Sequence, residues 1–338
     1  MMKKNKIRTL SSNTLTVILL TICYCIVAFQ IYSGNASRQL TNIMISLSCH
    51  IVMAVSLNLV VGMLGELSLG HASFMSVGLF SGCLLSIFLN NTFPLLPLAI
   101  RLPISMLFGG LIASLFGFIV GLPALRLDGD YLAIVTLACG EIIKSIITNL
   151  KITGGARGLD TSTIYLKTRS LLPYAFILDF VTIILIMHLK KSRYGRAIQA
   201  IRDNKIAAES CGIDIIKHKL SVFVLAAFFA GAAGTLYGHN FANIKATTFD
   251  YNLSIEFLLI VVLGGMGSIR GSVIAAVILK VLPEALRGLD DYRMLIYSLM
   301  LIVIMLFNSS PMFDGIKRTL NPKRLLVNVF KRKSTEDT

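Results

Sequence analysis

The chain has 338 residues, of which 55% are hydrophobic and 14% charged, and its mean hydropathy is +0.77. Soluble domains carry charge on about a quarter of their residues, so this composition excludes an ordinary soluble protein. The net charge of +15 would indicate nucleic-acid binding in a soluble protein, whereas in a membrane protein it marks cytoplasmic segments. We therefore predict an all-α, polytopic bundle of membrane helices, in contact with lipid and not with nucleic acid.

Apolar segments that could cross the membrane follow one another along the chain. The first, 14–32, follows four basic residues, and we interpret it as an uncleaved span because the apolar region of a signal peptide is shorter. Most of the others match about 30 Å of hydrocarbon as helices. They are 40–61, 71–89, 98–121, 130–150, 171–189 and 220–240, then the closely spaced pair 254–264 and 269–283, and finally 292–308.

Basic residues concentrate in three segments, which predict the topology. Four precede residue 14, eight lie in 190–219 and seven follow residue 315. Cytoplasmic loops carry an excess of Lys and Arg, so all three segments are predicted to be cytoplasmic. We predict a single transmembrane domain over 1–338, with a cytoplasmic N-terminus (1–13), loop (190–219) and tail (315–338).

The parity of the crossings then favours about ten spans, because an even number returns the tail to the side of the N-terminus. The pair 254–264 and 269–283 must cross twice to return the tail to the cytoplasm, with a helix break at Gly264, Gly265 and Gly267. One observation conflicts with this topology, because it places four basic residues of the loop after residue 150 outside the membrane. They are Lys151, Arg157, Lys167 and Arg169.

Charged side chains near the bilayer centre are costly and need a reason. Glu141 and Lys144 lie three apart and can pair on one helix face, either as a structural ion pair or as a functional site. We interpret His50 as a hydrogen-bonded packing residue. The closely spaced segments 254–264 and 269–283 also carry charged residues, which we interpret as marking the ends of the segments. These residues are Glu256, Arg270 and Lys280.

A glycine-rich segment, 62–74, lies between two apolar spans and carries Glu66, Ser68 and His71. Irregular backbone at membrane depth must be buried in protein or line a wet cavity, and transporters use such interrupted helices as substrate sites. The alternative is an ordinary turn between helices with a polar helix start. The residues alone leave both interpretations open.

Catalytic and metal-binding patterns are scarce. The chain has no GxSxG, HExxH or zinc-type Cys/His spacing, which leaves only a hydrolase built from Ser68 or Ser81 with His71 or His239. It also has no GxxxxGK[ST] loop. If ATP drives this protein, another polypeptide binds the nucleotide.

The basic loop 190–219 has the pattern of short amphipathic helices ending at Gly212. Its apolar side is predicted to contain Ala197, Ile198, Ile201, Ala208 and Cys211. A solvated loop in contact with anionic lipid is the alternative. The small residues before Gly212 favour insertion into a groove of a partner protein.

That run resembles the EAA-type coupling loop of ATP-binding-cassette (ABC) importer permeases, with Ile206 in place of the leading acidic residue. The chain is also similar, over nearly its whole length, to the permeases of branched-chain amino acid ABC transporters, specifically the LivM-type subunit. The C-terminal segment around 307–311 departs from the family pattern. The matching blocks are 56–74, 122–143, 153–159, 192–213, 223–238 and 255–276.

The resemblance implies half of a translocation channel in the bacterial inner membrane, with both termini cytoplasmic. Its partners would be a second homologous permease, two cytoplasmic ATP-binding subunits and an extracytoplasmic substrate-binding protein. The substrates would be leucine, isoleucine and valine. This chain would bind no cofactor and would have no enzymatic activity of its own, because the partner subunits would use the ATP. The coupling residues would be Arg202, Ala207, Ala208, Glu209 and Gly212, and the substrate-pathway residues Gly65, Glu66, Ser68, Gly70 and His71.

Three other functions remain open at this stage. One is a permease of the same type for urea or an amide, another is the hydrolase described above, and the third is a proton-driven secondary transporter using Glu141. For the coupling loop, we expect Ala208→Glu or Gly212→Arg to leave the protein in the membrane but to abolish ATP-dependent uptake.

Overall fold

The structure is a computed structural model that describes residues 38–95, 97–127 and 129–286, with isolated positions between 21 and 33 and between 292 and 306. The chain divides into two compact units, 1–281 and 282–338, and the account below concerns the first. The predicted spans 14–32 and 292–308 are described only in part, and the N-terminal segment 1–13 and the tail 315–338 lie wholly outside the described residues.

Ten α-helices lie within the described residues, and we number them in chain order. They are α1 Arg38–Asn58, α2 His71–Thr92, α3 Leu98–Ala124, α4 Asp130–Asn149, α5 Thr168–Lys191, α6 Arg193–Asp203, α7 Lys205–Ser210, α8 Ile215–Gly238, α9 Tyr251–Gly264 and α10 Ile269–Ala285. Helix α1 continues as a π-helix over Leu59–Leu64, and short 3₁₀ turns cover Gly155–Arg157 and Ala246–Thr248.

Among the described residues, seven helical segments are long and apolar enough to cross a membrane. They are Ile43–Leu64, His71–Thr92, Leu98–Ala124, Asp130–Asn149, Thr168–Lys191, Ile215–Gly238 and Ala246–Gly264. The prediction of a polytopic helical bundle is confirmed. Helix α10, which covers the predicted segment 269–283, has 17 residues, and the total of about ten crossings stays a prediction.

Glycines bring α2, α3 and α8 together at the centre of the bundle. A Cβ on Gly78 would lie 2.1 Å from the Cα of Gly231, and a Cβ on Gly234 would lie 2.0 Å from the carbonyl oxygen of Met75. In a bilayer, lipid tails remove the hydrophobic drive between helices, so close backbone packing at small residues must hold them together. Glycines on α2 and α8 therefore allow the close contact at the centre of the bundle.

Replacing Gly234 with Ala is expected to lower the free energy of unfolding by about 1–3 kcal/mol, because the added methyl group overlaps the α2 backbone. Gly140→Ala is the matched control, since its Cβ would have no neighbour closer than 3.5 Å. Titration of the purified protein with SDS in detergent measures both variants. Equal stability of the two would contradict this packing.

The loop 151–170 lies at one end of the bundle and the basic loop 190–219 at the other. Strand β1 (Leu159–Asp160) pairs antiparallel with strand β2 (Asn243–Ile244), directly after α8 ends. Helix α5 has 24 residues and so spans about 36 Å, and it runs from the first loop to the second. The four basic residues of 151–170 are thus on the side opposite 190–219, as the predicted topology requires.

Candidate functional site

Two short helices, α6 and α7, form the loop 190–219, and side-chain caps fix where they and α8 begin. Ser192 Oγ accepts from the N–H of Gly195 at 3.0 Å, and Asn204 Oδ1 accepts from that of Ala207 at 3.0 Å. Asp214 accepts from the N–H of Lys217 at 3.1 Å, a hydrogen bond that lowers the pKa of the Asp214 carboxyl. Such caps satisfy the free N–H groups of a helix start.

The loop has a small apolar core of its own. Ile201, Ala208 and Ile215 are buried in it, with Ala200 and Ile213 packed against them. Cys211 is exposed, so its predicted place on the apolar side is wrong. The predicted apolar-side position of Ala208 agrees with its burial, and Ala208→Glu would put a carboxylate into this core. Loss of uptake in that variant stays a prediction, and it would combine damage to the loop with any damage to a partner contact.

The surface of α7 that faces away from this core is exposed, and it carries small and apolar side chains beside the charged Glu209. Ile206 is 78% exposed, and Ala207, Glu209 and Ser210 are exposed beside it. Gly212 ends the segment with φ +78°, and a Cβ there would have no neighbour within 4 Å. We call Ile206, Ala207, Ser210 and Cys211 the α7 face.

The glycine-rich segment interrupts the bundle at the end of α1. The π-helix Leu59–Leu64, which the sequence pattern did not reveal, ends at Gly65 with φ +83°. The backbone is then irregular until α2 begins at His71. A left-handed residue at this position favours glycine, because a Cβ is strained there.

The basic loop contacts this interruption at two points. Arg202 Nη1 donates to the carbonyl oxygen of Gly62 at 3.0 Å, and a Cβ on Gly65 would lie 2.7 Å from Arg202 Cγ. Lys219 forms a buried ion pair with Glu66, the two side chains being 3% and 12% exposed. The structure thus brings predicted coupling residues and predicted glycine-motif residues together.

The second glycine segment reaches the same place. Helix α9 ends at Gly264, and Gly265 and Gly267 have positive φ before α10 begins. The N–H of Gly267 donates to Asn58 Oδ1 at 2.7 Å, and Lys190 donates to the carbonyl oxygen of Gly267. Both helix interruptions therefore meet the base of the loop 190–219.

Three of the predicted pathway residues lie deeper, in close packing. His71 Nε2 is 2.9 Å from Ser56 Oγ, and a Cβ on Gly70 would lie 2.3 Å from the carbonyl oxygen of Thr136. Ser68 is fully buried, and its Oγ has no hydrogen-bond partner in the described part of the chain. Their assignment to a substrate pathway stays a prediction.

The serine–histidine pairs of the hydrolase alternative do not form. Ser81 Oγ donates to the carbonyl oxygen of Val77 at 2.7 Å, and His239 Nε2 is 2.9 Å from Ser86 Oγ. Ser86 and His239 are both fully buried, which gives a substrate no access to them. The arrangement is typical of packing.

Sequence reasoning missed several polar contacts between helices. Lys190 and Lys219 join the two glycine segments to the loop, and Asn58 joins the end of α1 to the second glycine segment. Glu256 and Lys280, interpreted as segment ends, instead meet His50 inside the bundle. In the sequence, each of these residues is visible only as a polar residue within an apolar stretch. That pattern does not reveal which residue of another helix it contacts. Glu141 and Lys144 do pair, three residues apart on α4.

The comparisons with known proteins agree with this architecture. The family model described as "Branched-chain amino acid transport system / permease component" matches residues 39–305. The high-affinity branched-chain amino acid transport system permease proteins LivM of Salmonella typhimurium and Escherichia coli are each 33% identical over 303 residues, covering 80% of this chain and 69% of theirs.

A probable LivM permease of Methanocaldococcus jannaschii is 32% identical over 52% of this chain and 55% of its own. No solved structure matches the chain. The seven apolar helices and the match over 39–305 identify a multi-pass membrane protein. The chain belongs to the family of permease components of branched-chain amino acid transport systems.

Proposed function

We propose that this chain forms half of the translocation channel of an ABC importer for leucine, isoleucine and valine. Its partners in the proposal are a second homologous permease, two cytoplasmic ATP-binding subunits, which use the ATP, and an extracytoplasmic substrate-binding protein. The observation that carries the proposal is the loop 190–219, a compact two-helix unit with an exposed α7 face and direct contacts to both helix interruptions.

The contacts suggest how movement passes from the loop to the channel. The apolar core of the loop makes α6 and α7 move together. Arg202 and Lys219 would then transfer a push on the α7 face to the interruption at Gly62–Glu66. Helix ends at glycines with positive φ can absorb changes in backbone angles, as hinges do. Alternating access follows if the ATPases bind the loop differently in their two states.

We place the loop 190–219 in the cytoplasm and the loop 151–170 outside. The first carries eight basic residues, which favours the cytoplasmic side, and the strand pairing of the second puts it at the opposite end. With about ten crossings, both termini are cytoplasmic in this proposal.

Affinity purification and reconstitution test the proposal. We expect two ATP-binding polypeptides and another permease to co-purify with this chain. In proteoliposomes, leucine uptake should require ATP and the loaded binding protein and should survive an uncoupler. Uptake that persists without ATP and collapses with an uncoupler would overturn the proposal in favour of the secondary transporter.

A further inference from the structure

Three titratable side chains from three helices meet inside the bundle. Lys280 Nζ of α10 is 3.1 Å from His50 Nε2 of α1, and Glu256 Oε1 of α9 is 3.7 Å from the same nitrogen. We call these residues the inner polar cluster. It is separate from the contacts of Arg202 and Lys219, which are made with Gly62 and Glu66, beyond the C-terminal end of α1.

The cluster lies near the middle of the membrane span. His50 is seven residues beyond the start of the span Ile43–Leu64, which is about 10 Å along a helix. Lys280 is eleven residues beyond Ile269, the start of α10, or about 16 Å. Ionisable side chains at this depth are costly and generally serve a pathway or pair with one another.

The hydrogen bonds of His50 fix which atoms donate. Its Nδ1 lies 2.7 Å from the carbonyl oxygen of Ser46, which can only accept, so Nδ1 carries the hydrogen. Its Nε2 then accepts from the ammonium group of Lys280. The neutral ring has no N–H left for Glu256, and His50 therefore holds Lys280 in place without neutralising Glu256.

Both charged members keep hydrogen-bonding capacity. A lysine ammonium has three N–H donors, and within the described chain Lys280 uses one of them, toward His50. The carboxylate of Glu256 receives no hydrogen bond from any described residue, and the side chain is 33% exposed. Because a carboxylate facing lipid is costly at this depth, this exposed part must be covered by a partner subunit, face a wet opening or hold a cationic group.

The immediate surroundings of the charges are apolar. Val277 lies one turn before Lys280 on the same face of α10 and is 37% exposed. Ile255, next to Glu256, is also 37% exposed, and Phe257 packs edge-on against His50 with ring centroids 5.2 Å apart. The cluster thus combines a hydrogen-bond acceptor (Glu256), a hydrogen-bond donor (Lys280) and neighbouring apolar side chains.

We propose that the inner polar cluster binds the head group of a zwitterionic α-amino acid during its passage. Glu256 accepts from the α-ammonium group, Lys280 donates to the α-carboxylate, and the apolar side chain of the substrate lies against Val277 and Ile255. His50 is a positioning residue that orients Lys280. Charge-assisted contacts of this kind are the strong ones, and a substrate with both charges satisfies both side chains at once. The inference rests on the proposed function.

The test uses the complete importer in proteoliposomes, with Glu256→Gln and Lys280→Met as variants and Glu141→Gln as control. Glu141 is a suitable match because it also lies in a span and its side chain is 37% exposed, but it pairs with Lys144. We expect Glu256→Gln and Lys280→Met to reduce leucine uptake about tenfold or more, since each removes a hydrogen bond to a charged group. ATP hydrolysis stimulated by the loaded binding protein should stay near the wild-type rate in both, and Glu141→Gln should be normal in both assays.

A second measurement detects the substrate directly. A leucine analogue with a diazirine side chain, added to the wild-type importer during turnover and irradiated, should label peptides from 251–264 or 269–285. Wild-type uptake in both cluster variants, loss of uptake and ATP hydrolysis in parallel, or labelling confined to other helices would each overturn this inference. Absence of ATP-dependent leucine uptake by the wild-type importer would instead refute the proposed function.

Discussion

Replacing Ala207 with Arg is expected to abolish ATP-driven leucine uptake while the protein still inserts and folds. Ala207 is exposed on α7, outside the core formed by Ile201, Ala208 and Ile215, so the loop itself tolerates a larger residue. In the assembled importer the arginine would occupy the contact with the ATPase and bury an unpaired charge, which costs about 2–5 kcal/mol. Binding of the ATPase should therefore weaken about thirtyfold or more.

Uptake and co-purification of the ATP-binding subunits measure this effect. Ala156→Arg is the matched control, because Ala156 is also exposed but lies in the loop at the other end of the bundle. The control should transport and assemble normally. Retention of the ATPases and of uptake by Ala207→Arg would refute the α7 face as the docking surface.

Replacing Lys219 with Met is expected to lower the free energy of unfolding by about 3–5 kcal/mol, because it leaves the buried carboxylate of Glu66 without its ionic partner. Removing the second charge as well, in Glu66→Gln/Lys219→Met, should restore most of this stability, since replacing both members of a buried pair is often nearly neutral. SDS titration of the purified chain in detergent measures both variants.

The double variant also separates stability from coupling. If the ion pair transmits movement from the loop, the stable double variant should hydrolyse ATP with the binding protein present and yet import little leucine. If Lys219→Met is as stable as the wild type, the Glu66 carboxylate does not need Lys219 as its ionic partner in the folded protein. Normal import per ATP in the double variant would show that the pair has only a structural role.

The span pattern of the fold could be predicted because apolar length is a local property of the sequence. The segments 71–89 and 98–121 appear as α2 and α3 with longer ends. The π-helix after Asn58 could not be predicted in this way. Within it, Gly62 packs against the backbone of Gly267, about two hundred positions later in the chain. The local sequence pattern does not reveal a contact of that kind.

The candidate site was predicted only in part, for a related reason. The positions of α6 and α7 and the burial of Ala208 followed from the amphipathic pattern. The exposure of Cys211 did not, because the core of the loop is closed by Ile201 and Ile215 from neighbouring helices. Likewise, Glu256 and Lys280 looked like segment ends, because their contact with His50 joins helices that are distant in sequence. Contacts between helices that are distant in sequence can be identified only from the folded structure.

Photo-cross-linking at the α7 face tests the central claim most directly. A photoreactive phenylalanine derivative at Ile206, which is 78% exposed, would be compared in whole cells with the same residue at Ile152, which is 73% exposed at the opposite end. The account predicts that Ile206 captures an ATP-binding subunit and that Ile152 does not. Capture of such a subunit from Ile152, or cross-links from Ile206 to lipid only, would contradict it.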